Sequence, residues 1–326
     1  MSHNYIDQLK PGVFINDVYM VSQPVLRNTT RGDFYIAMYL SDKTGKANCR
    51  MWSTTEEIYN SIPKEGFVRV NGKTEMYQNT LQIVVNQVEV VDVAHVNVAD
   101  FLPATDKDVS VLFNEVVRML GEIKHPYVKA LIQEYLSDDE LMDMFRRSPA
   151  AVKMHHAFLG GLLEHTHGML QVALRILPLY PQVQADLVIA GIFLHDLCKT
   201  TELSYDLAFS YTNQGQLVGH LVRAAILLDQ KADRIIDKGY PLNQEIIDNI
   251  THILLSHHGK YEFGSPKLPA TLEAIMVSYI DDMDAKLNFA NDAIENEPSP
   301  DDWTPWKNLN MQAGTKFYKK KATREI

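Results

Sequence analysis

The sequence predicts a two-domain chain, a small five-stranded β-barrel followed by an all-α domain, and three observations carry that prediction. Residues 13 to 91 form short runs rich in Val, Ile, Tyr and Phe, separated by clusters of Asn, Asp, Gly and Thr, which is the pattern of strands. After Asp100 the apolar period lengthens to that of amphipathic helices. At 326 residues the chain also exceeds the usual size of one compact core.

The candidate strands are VFINDVYMV, DFYIAMYLSD, KANCRMWS, GFVRVNGKTEMY and TLQIVVNQVEVV. Between the third and fourth, STTEEIYNSIPKEG reads as one short helix that Ser53 or Thr54 can cap and Pro63 to Gly66 ends. Three strands, a helix and two further strands is the element order of an OB-fold barrel. The turn Ser41-Asp42-Lys43-Thr44-Gly45 supports it, because Asp supplies a local acceptor and Gly backbone freedom. Helical patterning then runs through VSVLFNEVVRML, PYVKALIQEYL and QLVGHLVRAAILLDQ. The expected division is a barrel over residues 1–98 and a helical domain over 99–326, joined near residues 94–106, where Pro103 and Asp106-Lys107-Asp108 mark a short linker and a helix start. No internal repeat or low-complexity tract is present. The basic, aromatic segment Lys316-Phe317-Tyr318-Lys319-Lys320-Lys321 reads as a solvated tail.

Composition narrows the class. The 46% hydrophobic and 22% charged content is that of an ordinary globular protein. MSHNYIDQLKPG lacks the basic and apolar regions of a signal peptide, and no stretch approaches the roughly 20 apolar residues of a membrane span, so a cytoplasmic location is expected. Cys49 and Cys198 fall in different expected domains and read as reduced, buried residues. The net charge of −10 opposes nucleic-acid binding at first sight. Residues 1–98, however, hold nine Lys/Arg against ten Asp/Glu, so the acidity belongs to the second half.

In that half, histidines and aspartates recur at helix ends and inner faces. His165 lies on or beside the stripe Phe158, Leu162, Met169, Val172 of HHAFLGGLLEHTHGMLQVALRIL. His195 and Asp196 close ADLVIAGIFLHDL, a helix with no polar face and therefore buried, where an aspartate must be paired or bound to metal. His220 follows Gly219, His257 and His258 end NQEIIDNITHILLSHHG, and Asp281 lies in LEAIMVSYIDDMDAKL. Imidazole and carboxylate suit Zn, Mn, Fe or Co, and this many donors exceed one tetrahedral ion. Two adjacent cations with one bridging carboxylate account for the set and suit phosphoryl displacement. His155, His156, His167 and His252 stand near the motif. His252 is the alternative to one of His257 and His258, as Asp282 and Asp284 are to Asp281.

The order LEHT, LHDLCK, VGH, LSHHG and YIDDMDAK, between about Met154 and Leu287, resembles the HD superfamily of metal-dependent phosphohydrolases in its two-metal form. That resemblance implies one ion on His165, His195, Asp196 and Asp281, and a second on His220, His257 and His258, with Asp196 bridging and catalytic. Lys199 matches the lysine that often follows the His-Asp pair and would hold a substrate phosphate as a second catalytic group.

Alternation in DFYIAMYL places Phe34, Ile36, Met38 and Leu40 on the core face and Tyr35 and Tyr39 outside, while Arg50 and Trp52 share a face of the next strand. Together these four could stack single-stranded nucleic acid, the alternative being barrel filling or a domain contact. A barrel of this order joined to the LGGLLEHT, HDLCKTTEL, GQLVGH, LLSHHGKYEFGSP and DDMDAKL segments resembles the YhaM-type 3′→5′ exoribonucleases along nearly the whole chain. The resemblance implies hydrolysis of single-stranded RNA, or DNA, to nucleoside 5′-monophosphates, and a homo-oligomer. Two divalent ions are implied with it, manganese favoured over cobalt, iron, zinc or magnesium.

Overall fold

Alternating apolar residues close the first five strands into a barrel. In the computed structural model, which describes residues 3–78, 80–152, 156–206, 208–308 and 314–320, these are β1 (Phe14–Asn28), β2 (Phe34–Asp42), β3 (Gly45–Trp52), β4 (Glu65–Tyr77) and β5 (Thr80–Val91), with α1 (Glu56–Ser61) before β4. Their order around the barrel is β1-β2-β3-β5-β4. Only the β3–β5 pair is parallel, which is the OB-fold closure. Tyr19, Val21, Ile36, Leu40, Val68, Val70 and Ile83 fill the interior with no exposed surface.

Three details differ from the sequence reading. β1 runs on through Pro24 to Asn28, because the register shifts between Ser22 and Val25 and Gln23 takes φ 53°, so the ring sits at a bulge where no ladder donor is required. Phe34 is not core: at the strand start it is 41% exposed. The cap of α1 is Thr55, whose hydroxyl accepts from Ile58 N–H, because Ser53 is left-handed and Thr54 N–H still bonds Phe34 O.

The turn after β2 is built on Asp42. Its Oδ1 accepts from Thr44 N–H at 2.7 Å and Thr44 Oγ1 at 2.6 Å, and its Oδ2 accepts from Ile6 N–H at 2.7 Å. One buried carboxylate thus ties the N-terminal segment to the β2–β3 hairpin. Residues 99–104 also belong to this unit, with Phe101 packed edge-on against Phe67 and Asp100 O accepting from Lys43 N–H.

The second unit is Thr105–Ser204 with Phe209–Ile326, the first being Met1–Ala104 with Tyr205–Ala208. Its helices are α2 (Val109–Leu120), α3 (Pro126–Leu136), α4 (Asp139–Arg147), α5 (Gly161–Ile176), α6 (Ala185–Leu194), α7 (Lys199–Glu202), α8 (Asn213–Leu217), α9 (Gly219–Asp237), α10 (Gln244–Ser256) and α11 (Leu272–Glu295). A small ribbon, β6 (Leu203–Ser204) with β7 (Ser210–Tyr211), lies between α7 and α8. Asp108 caps α2, accepting from Ser110 and Val111 N–H. α6 is the central helix: every residue from Leu187 to Leu194 is buried, and it packs against α3, α5, α10 and α11.

Two expected helices are shorter. Gly160 has φ 79°, so α5 starts at Gly161 and Phe158 precedes it. QLVGHLVRAAILLDQ is two helices, because Gly219 at φ 74° breaks it between α8 and α9. The described parts of the tail, residues 303–308 and 314–320, pair with one another. Trp303 bridges Tyr318 and Lys307 bridges Thr315, with Phe317 against Phe289, so the segment folds back on its own unit; Lys321 lies outside the described residues. Among the described residues no helix is long and apolar enough to cross a membrane.

Replacing Asp42 by alanine is expected to destabilise the barrel by about 2–3 kcal/mol, since charge-assisted hydrogen bonds are lost and Ile6 N–H is left buried. Urea unfolding followed by tyrosine fluorescence would measure it, and a change under 0.5 kcal/mol, roughly that of a neutral surface substitution, would contradict the assigned role.

Candidate metal centre

Helix ends and one helix face converge on a buried cluster. His165 projects from α5, His195 and Asp196 follow the last turn of α6, His220 opens α9, His257 and His258 follow α10, and Asp281 lies on α11. His165 and His195 have no exposed surface, and His257 and Asp196 are 1% and 3% exposed.

The donors fall into two groups sharing Asp196. His165 Nε2 lies 3.3 Å from both His195 Nε2 and Asp281 Oδ1, and Asp196 Oδ2 lies 3.4 Å from His195 Nε2. On the other side Asp196 Oδ1 lies 3.3 Å from His220 Nε2 and 3.5 Å from His257 Nε2, with His258 in the same group. Ligands held roughly 2.0–2.2 Å from one ion stand about 3.0–3.4 Å apart, the spacing these atoms approach.

Tautomers follow from the other ring nitrogens. Nδ1 faces Asp284 Oδ2 in His165, Ile192 O in His195, Glu202 Oε2 in His220, Leu254 O in His257 and Phe263 O in His258. Each partner only accepts, so every Nδ1 carries the proton; Nε2 of His195, His220, His257 and His258 presents a lone pair to the cluster, and that of His165 does so when a cation takes the place of its second proton. Asp196 Oδ1, His220 Nε2 and His257 Nε2 are buried and have no hydrogen-bond partner. Acceptors turned on one another repel, and a divalent cation among them removes the conflict. The donor set therefore fits divalent metal.

The electrostatics agree. Burial opposes the Asp196 charge, but Lys199 and His195 outweigh it and hold the carboxyl well below its usual range. Burial would also push His165 down, yet Asp281 and Asp284 lift it to about 10, so this side calls for positive charge that a cation can supply in place of a proton. On the other side burial, then the neighbouring His258, push His257 down to about 3 and keep it a neutral donor. Cys198 is inert, its thiol pushed up to about 12 by burial.

Family profiles match both units, the HD domain at residues 162–286 and the OB-fold nucleic acid binding domain at residues 26–91. The 3′-5′ exoribonuclease YhaM of Geobacillus sp. (strain WCH70) is 32% identical over 284 residues, 86% of this chain and 85% of that protein. The chain belongs to the YhaM 3′-5′ exoribonuclease family. Among solved structures, the second OB-fold domain of replication protein A from Methanococcus maripaludis aligns at 17% identity, covering 28% of this chain and 96% of that one, with a TM-score of 0.24. A replication protein A heterotrimer bound to single-stranded DNA aligns at 24% identity over 28% and 66%, with a TM-score of 0.21.

In this family member, other residues near the motif have separate roles. Asp284, one turn further along α11 than Asp281, stands on the opposite edge of the His165 ring at 2.7 Å and 3.1 Å from His156, so that these three also form a close donor group. His252 points away and accepts from Ala270 N–H at 2.9 Å. His167 pairs with Glu115, Asp282 pairs with Lys286, and His155 lies outside the described residues. Lys199 is largely buried, and its Nζ is 2.7 Å from Asp196 Oδ2. Glu202, which sequence reasoning passed over, holds His220; the only sequence signal was a carboxylate closing the HDLCKTTE segment.

On the barrel, Tyr35 and Trp52 are register partners with ring centres 4.9 Å apart. Arg50 lies over Trp52 and Tyr77 at 5.6 and 4.8 Å, and Lys46 lies 4.0 Å over Tyr39. A groove crosses this face between Arg27, Tyr39, Asn48, Arg50, Tyr77 and Gln82. Tyr77 and Lys46 were not singled out from sequence, although alternation with buried Thr74 sends Tyr77 outward.

Titrating manganese into metal-free protein is expected to raise the unfolding midpoint of the helical unit, with about 2.7 kcal/mol of stabilisation at 100 times the dissociation constant. Asp196→Asn should lose most of that response. A wild-type midpoint indifferent to divalent cations would count against metal at this cluster.

Proposed function

We propose that the chain removes nucleotides from the 3′ end of single-stranded RNA by metal-dependent hydrolysis, releasing nucleoside 5′-monophosphates, with single-stranded DNA as a second substrate. The observation that carries this reading is Asp196, whose two carboxylate oxygens each face a different set of imidazole Nε2 atoms. A carboxylate shared in that way belongs to a pair of adjacent cations. Membership in the exoribonuclease family and the aromatic, cationic barrel face supply the substrate class.

In this reading His165, His195, Asp196 and Asp281 would hold one cation, and Asp196, His220, His257 and His258 would hold the other. When bound, the cations, of which manganese is the favoured identity, would neutralise phosphate charge and acidify a water for in-line attack. The protein's own residues do the rest. Lys199 keeps Asp196 ionised and oriented through its contact at Oδ2, and adds positive charge where a phosphate would sit. Burial of the imidazoles keeps competing water away from Nε2. Tyr35, Trp52 and Tyr77 offer ring faces to bases, while Arg50 and Lys46 offer charge to the backbone. The 3′ oxygen of the preceding nucleotide departs, leaving a shortened strand with a new 3′ end.

The test uses 5′-labelled single-stranded RNA and DNA, with mononucleotides alongside, in manganese buffer. A ladder shortening from the 3′ end is expected, with Asp196→Asn slower by roughly 10³-fold, about 4 kcal/mol in the barrier, and still able to bind the strand. Cleavage of mononucleotides alone would replace this reading with that of a nucleotide phosphohydrolase. Replacing Tyr35 and Trp52 together by alanine should weaken binding of single-stranded RNA by about 1–3 kcal/mol per lost stack, measured by fluorescence anisotropy. Unchanged affinity would remove the barrel face from the substrate path.

A further inference from the structure

His220 is held differently from the imidazoles His195 and His257, which close on their own helices. His195 and His257 follow helix ends, so each ring can give its Nδ1 proton to a carbonyl three residues earlier, Ile192 O or Leu254 O. His220 stands at the start of α9, and the left-handed Gly219 between it and α8 interrupts the helical path that would bring a carbonyl three residues earlier under the ring. Glu202 supplies the acceptor instead. Its Oε2 takes the Nδ1 proton at 2.8 Å and its Oε1 takes the His220 backbone N–H at 3.0 Å. One carboxylate therefore fixes both ring and peptide, and the φ of 74° at Gly219 turns that peptide toward it.

The chain between the two residues is fastened to the same place. Thr212 N–H bonds Glu202 O at 2.9 Å, and Gly215 lies so close that a Cβ there would stand 2.3 Å from that oxygen. Thr212 and Gly215 thus fasten the segment that leads into α9 to the backbone of Glu202.

We propose that Glu202 is the positioning residue of the second cation position. It locks His220 in the Nδ1–H tautomer with Nε2 aimed at Asp196 Oδ1, and so sets the affinity for one ion while leaving the other untouched. Asp284 does the same for His165 in the first group. Each ion position then has its own outer carboxylate, and the two can be weakened separately. This inference rests on the two-cation reading above.

Calorimetric titration of manganese chloride into metal-free wild type, Glu202→Gln and Asp284→Asn tests it. Wild type is expected to bind two ions. Glu202→Gln keeps the side-chain length and an oxygen for His220 N–H, so one binding event should weaken about 10–100-fold while the other keeps its wild-type affinity. Asp284→Asn should weaken the event that Glu202→Gln spares. Wild-type affinities at both positions in Glu202→Gln, or equal weakening of both, would overturn the assignment of Glu202 alone. A single equivalent bound by wild type would overturn the two-cation reading and this inference with it. Imidazole nitrogen NMR of the wild type with zinc gives a readout that needs no variant. The second equivalent should shift His220 Nε2 while Nδ1 keeps its proton, and metal on Nδ1 would refute the proposal.

Discussion

The buried carboxylate of Asp196 is the constraint on which the helical unit depends. It follows a helix in which eight consecutive apolar residues are buried, a place where an uncompensated charge costs several kcal/mol. Lys199 answers one oxygen at 2.7 Å. The other faces two imidazole nitrogens that are acceptors, because their rings have given their protons elsewhere. Within the described residues nothing on that side donates, so the arrangement is balanced only when positive charge stands between them. The apolar helix that fixes the position of Asp196 creates the electrostatic demand that a cation meets.

Helix geometry explains why the donors lie where they do. The last carbonyls of a helix have no partner within it, and the C-terminal end carries partial negative charge. His195 and His257 use both properties: Nδ1 closes on a last-turn carbonyl, and Nε2 points beyond the helix toward a site where the dipoles of α6 and α10 favour a cation. α11 contributes by its period instead. Asp281 and Asp284, one turn apart on one face, grip the two edges of the His165 ring at 3.3 and 2.7 Å. Three helices thus fix rings that no loop would hold as firmly, and rigidity of the outer partners becomes affinity at the ion.

Legibility in the sequence divides along the same line. The barrel was readable because strand alternation and turn chemistry are local, and β2 through β5 fall where those patterns place them. His195-Asp196 was readable because a polar pair on an unbroken apolar helix conflicts with its surroundings. What could not be read was pairing across the chain. Asp284 meets His165 over 119 residues and Glu202 meets His220 over 18, and neither carboxylate differs in sequence from a solvated helix residue. The break at Gly219 was hidden for another reason. Its apolar neighbours keep helical spacing on both sides, and only the left-handed backbone separates α8 from α9.

The same physics answers the charge objection raised by a net −10. An acidic surface repels a polyanion only over about 8–10 Å in physiological salt, whereas the cluster acts at contact distance and inside a low-dielectric interior. Two divalent cations would bring four positive charges to a pocket whose ionised carboxylates, Asp196 and Asp281, are already opposed by Lys199. The pocket is then cationic although the unit around it is acidic. On the barrel, charge is nearly even, and Arg50 and Lys46 lie over aromatic rings. That favours a stacking surface that tolerates any base over a purely electrostatic one, and sequence tolerance is what an enzyme that shortens strands one nucleotide at a time requires of its grip.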